Sequence, residues 1–141
     1  MTAAQEISAP APEPVLRKDR VDYAPTARSV ALSRHRTARL VLQRGLPGMA
    51  GDAAVIVSEL ATNALLHGAV RGRLIRVDLT LTAAALRVAV SDPRGERLPR
   101  LRQPGADCYG LGLLIVTRLA DRWGVEPRTV GKSVFAELSV R

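Results

Sequence analysis

A chain of 141 residues has the length that a single hydrophobic core usually serves, which excludes a two-domain arrangement. Hydrophobic residues make up 47% and charged residues 24% of the sequence, as in an ordinary globular domain. The single Cys excludes an internal disulfide framework, and no uninterrupted apolar run approaches the roughly 18 residues of a membrane span, so we expect a cytoplasmic protein with no membrane association.

The formal net charge of +8 favours an acidic partner, but the distribution of the charge does not favour nucleic acid. The 21 basic residues are spread from Arg17 to Arg141 without a Lys/Arg block. Aromatic residues make up only 3% of the chain, so the stacking surfaces of single-stranded nucleic-acid binders are missing. Direct nucleic-acid binding is therefore not expected to be the main function.

The chain begins with a segment that has no hydrophobic period and is rich in Ala, Pro and Glu, and we predict a disordered tail over residues 1–18. One folded domain is then expected over residues 19–141. A short strand is predicted at residues 19–23, and a first helix at residues 26–44. A cluster of Gly and Pro follows this helix and would end it.

A second helix is predicted at residues 52–68, with Asp52 as the N-cap and Gly68 as the C-cap. It is mostly apolar, yet it carries three polar residues spaced at i, i+4 and i+8, which places them on one stripe of the helix. The stripe is either the solvated face of an amphipathic helix or the polar lining of a site. Its members are Glu59, Asn63 and His67.

Strict alternation of apolar and polar residues predicts two strands, at residues 75–81 and 85–92, joined by a short turn into an antiparallel hairpin. Residues 92–109 contain many Pro, Gly and Arg and show no period, as is typical of a functional or mobile loop. A third helix is predicted from residue 110 or 112 to residue 122.

Strands at residues 123–127 and 132–140 complete the predicted order. This order indicates an α+β fold: a two-layer sandwich with about three helices on one face of a mostly antiparallel, mixed sheet.

Two further features point to a ligand. The inward parity of the strand at residues 85–92 continues to Asp92, so we expect its carboxylate on the helix-facing side of the sheet, where it could accept from the amino group of a ligand. The alternative is a strand-end Asp turned into solvent. Gly110 and Gly112 open the third helix, where free N–H groups can bind an anion, although a tight loop-to-helix turn has the same pattern.

These motifs resemble those of a known family. Residues 59–68 resemble an N box, residues 92–95 a shortened first glycine box and residues 110–113 a second one, while residues 119–124 and 131–138 resemble the end of the same domain. The family is the ATP-binding domain shared by DNA gyrase, certain chaperones, histidine kinases and mismatch-repair ATPases. Within it, the chain is most similar to the anti-sigma-factor serine/threonine kinases.

The resemblance implies a Bergerat-type fold that binds ATP with Mg²⁺. Asn63 would hold the Mg²⁺, Glu59 would be the general base, and Asp92 would bind the adenine amino group. The remaining nucleotide contacts that it implies are His67, Gly95, Leu98, Gly110, Leu111, Gly112, Leu113 and Ser133. Alternation places Ser133 on the face of its strand opposite to Val134, so its contact would need a twist or a bulge.

The resemblance also implies partners. A kinase of this family would phosphorylate an anti-sigma-factor antagonist, sequester a sigma factor and form a homodimer. The alternative is a catalytically weak or inactive module that binds ATP or a partner, because the first glycine box has Arg94 and Glu96 near Gly95 where the family usually has a second glycine.

Overall fold

The structure is a computed structural model that describes residues 13–94 and 108–140, and of residues 108–111 it describes the helical backbone only. Within this part of the chain, five strands form one sheet and three helices pack against it, as predicted. The N-terminal half of the chain contains a nine-residue strand followed by two long helices, and a π-helical turn extends the second helix. The elements are β1 (Val15–Tyr23), α1 (Ala27–Gln43), α2 (Pro47–Asn63), the π-helical turn (Ala64–Gly68), β2 (Ile75–Thr82), β3 (Ala85–Asp92), α3 (Cys108–Leu119), β4 (Arg122–Pro127) and β5 (Lys132–Ser139).

The described strands are arranged in the order β1-β2-β3-β5-β4, and each neighbouring pair is antiparallel. The prediction of a mostly antiparallel sheet is therefore confirmed, and the described strands contain no parallel pair. The β2–β3 hairpin has the predicted register, with Leu81 opposite Leu86. Strand β1 begins at Val15, four residues earlier than predicted, because residues 15–18 pair with the far end of β2 and so belong to the sheet instead of the tail.

The core lies between the sheet and the helices, on the face that alternation predicts. Ile75 and Val88 are at most 1% exposed, and α2 contributes Ile56, Val57 and Leu60, which are also at most 1% exposed. Burial of one such side chain contributes about 1.5–3 kcal/mol. The part of the α2 surface that is not packed in the core is therefore narrow, and the polar residues of α2 must lie close to packed surfaces.

The boundaries of all three helices differ from the predicted ones, and α3 also ends at Leu119 and not at residue 122. Helix α1 begins after Thr26, whose hydroxyl accepts from the Ser29 amide as an N-cap. Helix α2 begins at Pro47 instead of Asp52, because proline suits the first helical turn, where its missing N–H would have no partner. Asp52 is thus inside the helix and not its N-cap. Helix α3 begins at Cys108, before the predicted start.

Helix α2 and its π-helical turn together form a segment of 22 residues, Pro47–Gly68. Among the described residues, this segment has the length and the apolar composition of a membrane span. In the fold this segment is the central helix of the core, and its apolar residues pack against the sheet and α1. A core helix passes the same test as a membrane span, so the length and composition of this segment are weak evidence for a span.

The second face of the sheet, which we call the open face, has no helix of the described chain packed on it. It carries cross-strand ion pairs such as Arg20–Asp78 and Arg122–Glu137. Phe135 lies on this face beneath Arg87, whose guanidinium carbon is 4.1 Å from the ring centroid. Exposed pairs of this kind contribute at most about 1 kcal/mol each.

Candidate nucleotide site

The C-terminal half of α2 lies directly against the first turns of α3. A Cβ atom at Gly112 would be 3.0 Å from Glu59 Oε2 and 3.9 Å from Asn63 Oδ1. Glycine at this position therefore allows α3 to approach the polar stripe of α2 closely. The stripe is thus not a solvated face, because a second helix covers two of its members.

Glu59 lies at this helix contact and is partly buried. Burial raises the pKa of its carboxyl above the ordinary value of 4.5, because the charged form loses hydration. A carboxyl with a raised pKa beside a second polar group is a candidate general base.

The raised pKa of Glu59 has a consequence for stability. A carboxyl whose pKa is raised by folding destabilises the folded state as the pH rises through the interval above 4.5, because the buried charge forms there. Glu59→Gln should therefore raise the melting temperature at neutral pH, and the gain should vanish below pH 4.5. Thermal unfolding across this pH range, with Asp52→Asn on the same helix as the control, measures it. Parallel profiles for wild type and Glu59→Gln would contradict the prediction.

Asn63, one turn after Glu59, is 7% exposed. Its side-chain Nδ2 is buried and has no hydrogen-bond partner in the described part of the chain. A buried amide without partners is costly, by about 1–3 kcal/mol, and is expected where a ligand completes the hydrogen bonding. A half-turn of the amide exchanges its oxygen and nitrogen at little steric cost, so either atom can face a ligand.

Asp92 ends β3 with its side chain on the helix-facing side of the sheet, as its parity predicts, and is 5% exposed. Its carboxylate packs on Gly68, where a Cβ atom would lie 2.2 Å from Asp92 Cγ. Gly68 has no positive φ, and the residue that caps the π-helical turn is Ala69. The predicted C-cap role of Gly68 is therefore wrong, and this glycine is needed for close approach to the carboxylate.

Lys132 is the main residue that the sequence reasoning missed. It is 4% exposed, and its ammonium donates to Asp92 Oδ1 at 3.0 Å and to the Arg94 carbonyl at 2.8 Å. The Arg94 amide donates to the same Oδ1 at 2.9 Å. Lys132 has the inward parity of Val134, so the alternation that placed Asp92 inside the fold could also have found its partner.

The turn before β5 brings Lys132 into position. Gly131 has φ +82°, and a Cβ atom there would lie 1.8 Å from the Asp92 carbonyl oxygen. The left-handed conformation and the lack of space both require glycine. The end of β3 and the start of β5 are thereby held in contact.

Asn63, His67, Asp92 and Lys132 line one cavity between the π-helical turn and the ends of β3 and β5. Its volume is about 10 Å³, which is enough for about one water molecule and too small for a purine ring. The structure therefore brings three of the predicted polar residues, Asn63, His67 and Asp92, together with Lys132 in a narrow crevice. The space between these described residues takes a nucleotide only if lining side chains move.

The other predicted site residues fall into three groups. Gly95 and Leu98 lie outside the described residues. Gly110 and Leu111 belong to the first turn of α3, whose N–H groups have no partner within the helix itself, whereas Gly112 is the fifth helical residue and its N–H is committed to the helix. Leu113 is fully buried in the core.

Ser133 lies on the open face, away from the crevice. Strands β3 and β5 pair without a register shift, so the twist or bulge that would turn Ser133 inward is absent from this pair. Its hydroxyl is hydrogen-bonded to that of Ser91 on the neighbouring strand. In this structure Ser133 therefore has no route to a ligand in the crevice.

The fold and the crevice together define a class of protein. Three helices on one face of a five-stranded antiparallel sheet, with a polar helix stripe facing a strand-end carboxylate, form the α+β sandwich of the ATP-binding domain that the motifs resemble. The sequence profile of the histidine kinase-like ATPase domain matches residues 23–137. The chain therefore belongs to the family of histidine kinase-like ATPase domains, whose members are nucleotide-binding proteins.

A solved structure shares the fold. The chain is similar to the crystal structure of the RsbU and RsbW domains of Rv1364c from Mycobacterium tuberculosis, with a TM-score of 0.67 and 18% sequence identity. The alignment covers 94% of this chain and 34% of the mycobacterial chain, so the chain spans about a third of that protein. At this identity the similarity concerns the fold. No curated protein sequence matches the chain.

Proposed function

We propose that the chain binds Mg²⁺ and ATP in the crevice between α2, α3 and the ends of β3 and β5, and acts as a protein serine/threonine kinase. One observation carries the proposal. Glu59 and Asn63, a helical turn apart, face Gly112 of α3, and the buried Asn63 Nδ2 has no protein partner in the described chain. Membership in an ATPase-domain family supports the same ligand.

The donor set near Asn63 suits Mg²⁺. The described residues contain no cluster of three or more His, Cys, Asp or Glu side chains for a metal, which fits an ion held by one or two protein oxygens and by phosphates. The Asn63 side-chain oxygen would be the protein ligand. When bound, Mg²⁺ would neutralise charge on the phosphates of ATP.

Glu59 would act on the substrate hydroxyl. Its carboxylate would accept the hydroxyl proton as the oxygen forms a bond to the γ-phosphorus and the bond from that phosphorus to the bridging oxygen breaks, leaving ADP. A raised pKa brings the base closer to the operating pH, where proton transfer is most effective. The first-turn amides of α3, including those of Gly110 and Leu111, would bind phosphate oxygens.

Asp92 would bind the adenine amino group through Oδ2. Both hydrogen bonds to Asp92 in the described structure go to Oδ1, from Lys132 and from the Arg94 amide. The second oxygen therefore remains as an acceptor for a purine. His67, Gly95, Leu98, Gly112 and Leu113 stay proposals as nucleotide contacts.

The biological role proposed is that of an anti-sigma-factor kinase. The chain would phosphorylate an antagonist protein and sequester a sigma factor, as a cytoplasmic homodimer. The resemblance of residues 59–68 to the N box of these kinases and the shared fold with a chain that contains an RsbW domain support this role.

A second candidate function is a module that binds a partner without catalysis. The narrow cavity of about 10 Å³ and the buried Asp92–Lys132 pair favour it, because both oppose purine entry. The two functions differ in phosphoryl transfer from ATP, and a module without a nucleotide site would differ in ATP binding as well.

Replacement of Asn63 by Ala tests the proposed site. Wild type should bind ATP more tightly with Mg²⁺ than with a chelator, and Asn63→Ala should lose this Mg²⁺-dependent increment, weakening binding at least about tenfold. Isothermal titration calorimetry measures both. Thr62→Ala is the matched control, because Thr62 bonds the Ser58 carbonyl within its own helix.

Two results would decide against the proposal. An Asn63→Ala affinity equal to that of wild type would show that Mg²⁺ is held elsewhere. If wild type gave neither heat nor a thermal shift at millimolar ATP, the kinase would be excluded and the non-catalytic module favoured.

A further inference from the structure

A second cavity lies on the open face, at the end of the sheet near the β3–β5 contact. We call it the open-face cavity; its volume is about 410 Å³. Asp22, Arg76 and Ser91 line it from one cross-strand row of β1, β2 and β3. The loop before β2 adds Arg73, and the turn before β5 adds Arg128. This row has the parity opposite to that of the core residues, so the cavity opens on the other face of the sheet from the nucleotide crevice, and Asp92 at the end of β3 borders both.

The charges around the open-face cavity are unbalanced. Asp22 is neutralised by Arg76 at 2.7 Å, and Asp92 is neutralised from the other side of the sheet by Lys132 at 3.0 Å. Arg73 and Arg128 have no carboxylate partner among residues 13–94 and 108–140. Two guanidinium groups thus border the cavity without a matching anion.

Ser91, in the wall of the cavity, and Ser133 opposite it on β5 supply hydroxyl groups beside Arg128. Ser91 and Ser133 are 8% and 5% exposed, and their hydroxyls are bonded to each other. Arg128 Nη1 lies 3.4 Å from each hydroxyl oxygen. The Ser–Ser bond uses one of the two hydroxyl protons, and Arg128 accepts none. Arg128 Nη1 donates to these hydroxyl oxygens, so one hydroxyl proton and the other side-chain N–H groups of Arg128 are left without an acceptor among the described residues.

We infer that the open-face cavity binds the phosphate group of a phosphate monoester. A phosphate group has three terminal oxygens and about two negative charges, which matches two unpaired guanidinium groups and a hydroxyl donor better than a single carboxylate does. Arginine is suited to this contact because its planar N–H groups bind phosphate oxygens in pairs.

The rim of the cavity indicates that the phosphate carries an organic group. Leu74 and Val130 line the cavity and are 57% and 54% exposed, so apolar surface adjoins the cationic wall. The cavity is also larger than a phosphate group needs. This inference uses neither Glu59 nor Asn63 and does not rest on the proposed kinase function.

Calorimetric titration of the full chain without nucleotide tests the inference, at constant ionic strength. The probes are phosphoserine blocked at both ends, the same compound without phosphate, and inorganic phosphate. We expect millimolar or tighter binding of blocked phosphoserine, and at least about tenfold weaker binding to Arg128→Gln and to Arg73→Gln. Arg71→Gln, which removes the same charge from an exposed position outside the cavity, is the control and should bind as wild type does.

The outcomes separate the alternatives. Tighter binding of blocked phosphoserine than of inorganic phosphate supports recognition of the whole monoester, and equal binding supports recognition of the phosphate group alone. An equal loss in Arg71→Gln would show unspecific charge attraction and overturn the inference. Loss in Asn63→Ala with retention in both Arg73→Gln and Arg128→Gln would place the phosphate in the nucleotide crevice and also overturn it. Because Arg73 is exposed, its variant keeps the test valid should Arg128→Gln unfold.

Discussion

Replacement of Glu59 by Gln is expected to lower phosphoryl transfer from ATP by about 10²- to 10⁴-fold while leaving ATP affinity nearly unchanged. The amide keeps the size of the side chain and its contact with α3, but it cannot accept the proton of the attacking hydroxyl. The rate should be measured with γ-labelled ATP, both as single-turnover hydrolysis, in which water is the acceptor, and as transfer to a candidate antagonist protein.

Asp52→Asn is the control for this prediction. It makes the same chemical change in the same helix, far from the crevice, and should leave the rate unchanged. Equal turnover of Glu59→Gln and wild type would show that another residue is the base. A parallel loss of rate and ATP affinity would instead show that Glu59 acts in binding.

Replacement of Gly131 by Ala is expected to lower the free energy of unfolding by about 3–5 kcal/mol, the range of severe single substitutions. The new Cβ atom would lie 1.8 Å from the Asp92 carbonyl oxygen, so the backbone of one strand end must move. Because the Asp92–Lys132 pair lies at the same contact, nucleotide binding should weaken together with stability. Urea denaturation measures the change in free energy.

Gly45→Ala provides the matched control. Gly45 has a similar φ of +75° but has no atom within 4 Å of the position of a Cβ. Its replacement should cost only the conformational strain of the left-handed region, about 1–2 kcal/mol. If both variants lost the same free energy of unfolding, the close approach to Asp92 would not contribute to the effect, and the positive φ alone would explain it.

The polar residues of the crevice affect the stability of the domain as well as its proposed function, because they are partly or fully buried. Asn63 has a buried amide nitrogen without a partner, and Glu59 has a carboxyl whose pKa burial raises. Each lowers the stability of the domain at neutral pH in the absence of a ligand. Removal of either partner of the Asp92–Lys132 ion pair would also destabilise the domain, since it would leave an uncompensated buried charge.

The helix and strand periodicity of the sequence alone predicted several residues of the crevice. The spacing of Glu59, Asn63 and His67 defined one helix stripe, and the parity of β3 placed Asp92 on the helix-facing side of the sheet. Both are local properties of the chain, because helix and strand geometry set the direction of each side chain relative to its neighbours. The antiparallel hairpin of β2 and β3 followed from the same alternation.

Contacts between distant segments were beyond such local rules. Three such contacts depend on how β5 and α3 pack against the rest of the chain. Lys132 neutralises Asp92, and Gly68 and Gly131 make room for the carboxylate and carbonyl groups of Asp92. Gly112 allows α3 to contact Glu59. The small volume of the cavity also results from this packing. Residue order thus specified the elements and the inward faces of the polar side chains, whereas their partners, their burial and the space between them were decided by packing in three dimensions.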